Sequence, residues 1–239
     1  MIKNFLLIFS LLMLSCYVNA ETKSALKQVL YVGDNHLAKA KIKLLKESAK
    51  LKGLSIEIYS TRNFNKGVGL EKLCDYPVVV MQAVSQDAAV QMFAAFPAAI
   101  KQCEVKSVSV GFELNGLNKG FTVLQKERIS EYASNGLRKN YENLFAYIAN
   151  QVFQKDLKVE EAIILPKVGL YHPDFDGLVT ADSKTFFNWL SKTNLSAQSE
   201  AATIGVIIHR SAVENEQTEV VDATLAAIDK QGGKAFALF

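Results

Sequence analysis

The sequence predicts an α/β protein with mostly parallel sheets, flanking helices and two flavodoxin-like (Rossmann-like) units, of which the second is truncated. Short apolar runs alternate with longer amphipathic segments, which is typical of strands joined by helical crossovers. Residues 77–81 form a continuous valine-rich run, as in a parallel strand buried on both faces. The alternation breaks at the charged stretch 154–161 and restarts after it, which predicts units at residues 21–153 and 166–239.

The first twenty residues resemble a cleaved secretory signal peptide. Lys3 precedes an apolar run at residues 5–14, and Val18 and Ala20 supply small residues at a cleavage site. That run is too short to cross a bilayer, and no later segment reaches the roughly 18 to 20 apolar residues that a span needs. We therefore expect a periplasmic or cell-envelope protein without a transmembrane span after signal cleavage.

The elements of the first unit follow from periodicity. Apolar or alternating runs predict strands at residues 28–32, 54–59, 77–81 and 105–112. Apolar residues at helical spacing predict helices at residues 37–51, 87–100 and 129–153, and Gly53 is a plausible end for the first of them.

The second unit repeats the pattern on a smaller scale. Strands are predicted at residues 168–171, 203–209 and 235–239, and helices at 184–190 and 220–228. The last predicted strand is apolar and has no helix after it to cover it, so we expect the sequence to be the N-terminal piece of a longer protein.

Charge and cysteine content narrow the classes of function. The 239 residues carry 27 Lys and Arg against 24 Asp and Glu, a net charge of +3, which argues against nucleic-acid binding. The one lysine-rich run, residues 39–52, fits the solvated face of an amphipathic helix. Cys74 and Cys103 remain after signal cleavage, and they either pair in an oxidising compartment or lie buried as small apolar side chains.

Common catalytic motifs are absent, so the histidines are the first candidates for chemistry. There is no Walker loop, GxGxxG, CxxC, HExxH or GxSxG pattern, and the histidines lack metal-ligand spacing. His36, His172 and His209 each follow or end a predicted strand. Ligands of open α/β sheets bind at the carboxyl ends of strands, although ordinary loop histidines also occur there.

Two strand ends carry a more specific pattern. Residues 166–174 read Pro-Lys-Val-Gly-Leu-Tyr-His-Pro-Asp, and residues 204–211 read Ile-Gly-Val-Ile-Ile-His-Arg-Ser. An aromatic helix lies between them at residues 186–190, and an upstream helix carries Tyr132, Asn135-Gly136, Asn140 and Asn143-Leu144. This order of motifs resembles the large subunit of cobaltochelatase (CobN) and the porphyrin-binding large subunit of magnesium chelatase. The resemblance covers residues 129–239, and His209 stands where the family usually has tyrosine.

The resemblance implies a chelatase-like protein that binds a tetrapyrrole and inserts or removes a divalent metal ion such as cobalt, magnesium or iron. Deprotonating the ring requires a base, for which His172 and His209 are the candidates. We expect both to project from the ends of parallel strands toward one crevice, where the ring would lie. Tyr171, Asp174, Arg210 and Ser211 are the candidate ligand-binding residues, and Arg210 would hold a ring carboxylate. Asp174 and Asp176 are weaker candidates for metal, and no complete metal ligand set is visible.

The chelatase interpretation implies a use of ATP hydrolysis, whereas the predicted export would place the chain where ATP is absent. Cytoplasmic chelatases of this family couple insertion to ATP hydrolysis by partner subunits, and an exported chain has no ATP. Three hypotheses follow. The first is an ATP-independent chelatase-like enzyme, with ATP used only through partner subunits if the chain is cytoplasmic. The others are a periplasmic small-molecule binding module without catalysis and a piece that is mainly scaffold for a larger assembly.

Overall fold

The first sheet is fully parallel. The computed structural model describes residues 28–34, 37–61, 70–112, 115–193 and 202–239, so the predicted signal peptide and His36 lie outside the described residues. The strands are β1 (Val29–Gly33), β2 (Ile56–Ser60), β3 (Val78–Ala83) and β4 (Lys106–Gly111), in the order β2-β1-β3-β4. The predicted α/β class is therefore confirmed, and both ends of each strand in this sheet lie within two residues of their predicted positions.

Helices cover both faces of this sheet, because alternate residues of its central strands are apolar on each side. Val29 and Tyr31 face one core, and Leu30 and Val32 face the other. The first core packs against the helices α1 (Lys39–Leu51), α3 (Val123–Asn135) and α4 (Arg138–Phe153). The second core, on the other face of the sheet, packs against α2 (Gln86–Gln102).

The single long helix expected at residues 129–153 is wrong, since two helices meet there at a corner. Gly136 and Leu137 both have positive φ, 62° and 66°, which interrupts the helical backbone between α3 and α4. A Cβ on Gly136 would lie 2.5 Å from the carbonyl oxygen of Glu214, so the corner also needs glycine for close approach.

The charged stretch after α4 packs on the first core instead of leading away from it. Leu157, Val159 and Ala162 contact the core that α1, α3 and α4 share. The Asn140 side chain accepts a hydrogen bond from the amide of Ile163 and donates one to its carbonyl, each at 2.8 Å. The Asn150 side chain makes the same pair of hydrogen bonds with the amide and carbonyl of Leu157. Asparagines on α4 thus hold an extended segment that has no neighbouring strand.

The second sheet is mixed, with the order β6-β5-β8-β7. Its strands are β5 (Leu170–Tyr171), β6 (Val179–Thr180), β7 (Thr203–Ile207) and β8 (Lys234–Leu238). β7 and β8 are parallel, whereas β5 runs antiparallel to both β6 and β8. The accompanying helices are α5 (Ser183–Thr193), α6 (Arg210–Glu214) and α7 (Glu219–Lys230). The sequence did not predict the helix α6 or the strand β6.

The two cysteines left open by the sequence form a disulfide, with Cα atoms 4.9 Å apart. It joins a short 3₁₀ helix at Glu71–Asp75 to the end of α2, beside the first sheet. Within the described part of the chain, no helix is long and apolar enough to cross a membrane.

Candidate functional site

A cleft lies at the point where the order of the first sheet reverses. In the sheet, β1 lies between β2 and β3. The loops that follow β1 and β3 therefore leave the sheet in different directions. Two adjoining cavities of about 260 and 380 Å³ open at these strand ends. Both are lined by Lys41, Gln82, Val84 and Glu214, and we call them together the switch-point cleft.

A hydrogen-bonded cluster forms the floor of the switch-point cleft. The Lys41 ammonium and the Tyr31 hydroxyl both donate to Oε1 of Gln82, and Nε2 of Gln82 donates to the carbonyl of Ala133 at 3.1 Å. Burial lowers the pKa of Lys41 to about 8, and the nearby carboxylate of Glu214 opposes that shift. Assigning Lys41 to the solvated face of its helix was therefore wrong, although Lys43 and Lys46 are exposed there.

Tyr141 of α4 contributes a polar group without a partner. Its side chain is fully buried, and its hydroxyl makes no hydrogen bond. Tyr141 is nevertheless one of the residues that line the larger cavity. Burial, and secondarily Glu214, raises the pKa of this hydroxyl above its ordinary value, so it stays a neutral donor. The Lys41 ammonium lies 6.0 Å from the centre of the Tyr141 ring.

The second unit closes the cleft through α6. Nδ1 of His209 accepts the amide of Ser211 at 3.1 Å and lies 2.7 Å from the Ser211 hydroxyl, so His209 caps the helix. Both side chains line the smaller cavity, as do Glu214 and Asn215. Because Nδ1 accepts a bond, the neutral ring carries its proton on Nε2.

The mouth of the switch-point cleft is apolar and open to solvent. Val84 is 63% exposed and Phe112 is 42% exposed, at the ends of β3 and β4. Leu37, in the loop before α1, adds a further apolar wall. An apolar entrance above a few polar groups is the usual composition of a small-molecule site.

His172 lies in a different environment, inside an aromatic cluster of the second unit. It is 6% exposed, its ring lies 5.0 Å from that of Trp189 in an edge-on arrangement, and its Nδ1 accepts the amide of Asp174 at 3.1 Å. Nε2 is 3.7 Å from the carboxylate of Asp229. The cluster continues through Phe175 and Phe186, which pack against Trp189.

The remaining predicted ligand-binding residues do not line the switch-point cleft. The buried Tyr171 donates its hydroxyl to Asp222 at 2.6 Å. The Arg210 side chain pairs with Glu214 at 3.0 Å and does not line the switch-point cleft. Asp174 and Asp176 are exposed on the turn after β5.

The expectation that His172 and His209 face one crevice is wrong. It assumed parallel strands, but β5 and β7 point in opposite directions, because β5 is antiparallel to β8 and β7 is parallel to it. Chain segments that follow antiparallel strands leave the sheet at opposite edges. Of the predicted residues, His209 and Ser211 line the switch-point cleft, and His172, Tyr171 and Asp174 do not.

Sequence reasoning missed the residues that make the floor of the cleft. Gln82 is a polar residue at the end of a valine-rich strand, and Asp34 follows β1 directly, which are two signals of a strand-end site. Lys41 gave no such signal, because it is one of several lysines on its helix. Among the described residues, no group of three or more His, Cys, Asp or Glu side chains has the arrangement of a metal site.

Known proteins resemble this chain most clearly in its second half. The family model CobN/Magnesium Chelatase matches residues 130–239. A magnesium-chelatase subunit of Chlorobaculum parvum is 29% identical over 101 residues, which are 42% of this chain and 8% of that protein. The solved catalytic subunit of cobaltochelatase from Mycobacterium tuberculosis has a TM-score of 0.49 and 15% identity, over 89% of this chain and 16% of that one.

The chain thus corresponds to a small part of these proteins. The matched residues run from α3 to β8 and include both strand-end motifs and the asparagine-rich helix that the sequence analysis singled out. Residues 130–239 therefore match the CobN/magnesium chelatase family, as the order of motifs in the sequence predicted.

Proposed function

We propose that this chain takes part in binding a tetrapyrrole and in inserting or removing its divalent metal ion, with the switch-point cleft as the ring site. One observation carries the proposal: Tyr141, His209 and Ser211, all within the family segment, line the cleft at the strand ends of the parallel sheet. The similar protein of Chlorobaculum parvum is named as a magnesium-chelatase subunit, which supports this substrate class. Cobalt, magnesium and iron are the candidate metals.

The composition of the cleft suits an amphipathic ring. A tetrapyrrole presents flat apolar faces and a polar rim, and the cleft has Val84 and Phe112 at its mouth and Lys41 and Tyr141 below. Apolar contacts at the entrance would hold the ring, while the floor would receive its polar rim.

Metal insertion exchanges one divalent cation for two pyrrole protons, so a proton acceptor has to reach the ring nitrogens. Among the described residues that line the cleft, His209 supplies an imidazole, and its side chain is exposed. In this proposal Nδ1 of His209 takes each pyrrole proton in turn and passes it to solvent, while the metal binds the ring nitrogens. Accepting the proton requires the bond from the Ser211 amide to open.

Binding of the ring can be tested without any partner protein. Free-base mesoporphyrin is titrated with the full chain, and the change of its visible absorbance is followed. The proposal predicts saturation at one ring per chain, and then metal uptake by the bound ring when cobalt, magnesium or iron(II) is added. Absence of saturable binding would overturn the proposal, while binding without any metal exchange would favour a ligand-binding module.

We also propose that the chain is exported, with cleavage after Ala20. The support is the leader pattern in the sequence and the Cys74–Cys103 disulfide, since disulfides persist mainly in oxidising compartments. N-terminal sequencing of the protein from its native cell tests this: the proposal predicts a start at Glu21, and an intact Met1 in the cytoplasm would contradict it. A cytoplasmic location would make ATP-hydrolysing partner subunits available.

A further inference from the structure

We propose that the Lys41 ammonium and the Tyr141 hydroxyl form a carboxylate-binding site on the floor of the switch-point cleft, which holds one acidic side chain of the tetrapyrrole. This inference rests on the proposed function and adds the residues that recognise the rim of the ring. It assigns to Lys41 the role that the sequence had suggested for Arg210.

The first support is the state of Tyr141. A fully buried hydroxyl without a hydrogen-bond partner is unfavourable, so native proteins rarely leave one in that state. Tyr141 is one of the residues that line the larger cavity of the cleft, so its side chain lies beside the space proposed for the ring. Because its pKa is raised, it is protonated at neutral pH and can donate to an anion.

The second support is the way Lys41 is held. Gln82 accepts from the ammonium and is itself fixed by the bond to Ala133 and by the Tyr31 hydroxyl. The ammonium has three N–H donors, of which Gln82 receives one. A cation fixed in this way binds an anion without first losing side-chain freedom.

The third support is the charge of the cleft. Lys41 is the one Lys or Arg side chain among the described residues lining its two cavities. The carboxylates that also line it have partners of their own: Asp34 accepts from the Ser85 hydroxyl at 2.8 Å, and Glu214 pairs with Arg210. Asp34 keeps its negative charge, since its partner is neutral, and Glu214 acts on Lys41 as well, so Lys41 is the described cation in the cleft that can attract a ring carboxylate.

The two donors belong to residues that line the same cavity. The Lys41 nitrogen is 6.0 Å from the centre of the Tyr141 ring, and both residues line the larger cavity of the cleft. A carboxylate has two acceptor oxygens, and charge-assisted hydrogen bonds to them are about twice as strong as neutral ones.

The test compares free-base mesoporphyrin with its dimethyl ester, which has the same ring without the acidic groups. Both are titrated by absorbance with the wild-type chain, with Lys41→Met and Tyr141→Phe, and with Lys46→Met as an exposed lysine control on the same helix. We expect the wild type and Lys46→Met to prefer the diacid by at least about tenfold, the value of one charge-assisted bond. Lys41→Met should bind both ligands equally, and Tyr141→Phe should lose most of the preference.

Folding and function are separated in this design. Tyr141→Phe removes a hydroxyl that has no partner, so its unfolding free energy should not fall below that of the wild type. Equal wild-type affinities for diacid and ester would overturn the carboxylate site and leave the proposed function standing. A preference that survives in Lys41→Met would also overturn it, and a wild type that binds neither ligand would overturn the proposed function itself.

Discussion

The backbone amide of Leu137 donates a 2.7 Å hydrogen bond to the carbonyl oxygen of Glu214, and this bond joins the corner between α3 and α4 to the end of α6. Arg138, the next residue, adds contacts to both sides: its guanidinium lies 2.8 Å from Glu47 on α1 and 3.4 Å from Glu216 after α6. The corner therefore fixes the helix that carries Ser211 over the switch-point cleft.

Gly136→Ala should displace α6 from this corner. Its Cβ would meet the Glu214 carbonyl, and alanine also disfavours the φ of 62°. We expect a loss of about 2 to 4 kcal/mol in unfolding free energy and weaker ring binding. Gly177→Ala is the control, because Gly177 has a φ of 87° with no atom within 4 Å of the new Cβ. Equal losses in the two variants, measured by urea unfolding, would show that the contact with Glu214 is unimportant.

Asn140→Leu should destabilise the extended segment after α4. The buried Asn140 side chain satisfies both backbone groups of Ile163, and leucine would leave them without partners. The expected cost is about 2 to 5 kcal/mol in urea unfolding. Asn188→Leu, on an exposed position of α5, provides the comparison and should change stability by about 0.5 kcal/mol or less. A small effect at Asn140 would mean that this segment is held mainly by its apolar contacts.

The first unit was predictable because its sequence signals are local and agree with the packing. The apolar runs of β1 and β3 and the glycine after α1, Gly53 with a φ of 67°, correspond directly to elements of the structure. The family resemblance was also visible in the order of motifs, which the match over residues 130–239 confirms.

The site was less predictable, because it depends on contacts between distant residues. β5 runs antiparallel to β8, and the turn after His172, where the Phe175 amide donates to the His172 carbonyl, reverses the chain into β6. The short β5 gave no sign of either pairing. The burial of Lys41 depends on α4 and α6 lying beside it, and helical periodicity alone does not encode which neighbours arrive.

His172→Ala and His209→Asn should have different consequences. Removing His172 takes a ring out of the cluster around Trp189, so we expect a stability loss of about 1 to 3 kcal/mol with unchanged ring affinity. His209→Asn keeps a good N-cap for α6 but removes the imidazole, so metal transfer should fall while stability is nearly unchanged.

Fluorescence of Trp189, the one tryptophan in the sequence, reports unfolding of both variants, and absorbance reports the ring. Loss of ring binding in His172→Ala at wild-type stability would contradict this division of roles.

The affinity for the diacid should fall as the pH rises through about 8. Burial gives Lys41 a pKa of about 8, so the ammonium that attracts the carboxylate is lost above that value. The charged and titratable groups around it are the carboxylates of Asp34 and Glu214, the imidazole of His209, and the hydroxyls of Tyr31 and Tyr141, whose pKa values burial raises.

Affinity for the dimethyl ester should not show this fall, and neither should Lys41→Met with the diacid. Stability should move in the opposite direction to affinity. The unfolded chain holds the Lys41 proton up to about pH 10.5, so the unfolding free energy gains a favourable contribution between pH 8 and 10.5. A pH-independent preference for the diacid would contradict the involvement of Lys41.

Closing the mouth of the switch-point cleft tests the central claim most directly. Val84 and Val90 are 63% and 61% exposed, but Val84 lines both cavities of the cleft and Val90 lies on α2 and lines neither. Binding of free-base mesoporphyrin is measured for Val84→Trp and Val90→Trp by the same absorbance titration. We predict that Val84→Trp abolishes binding while Val90→Trp retains wild-type affinity, and retention of full affinity by a folded Val84→Trp variant would show that the ring binds elsewhere.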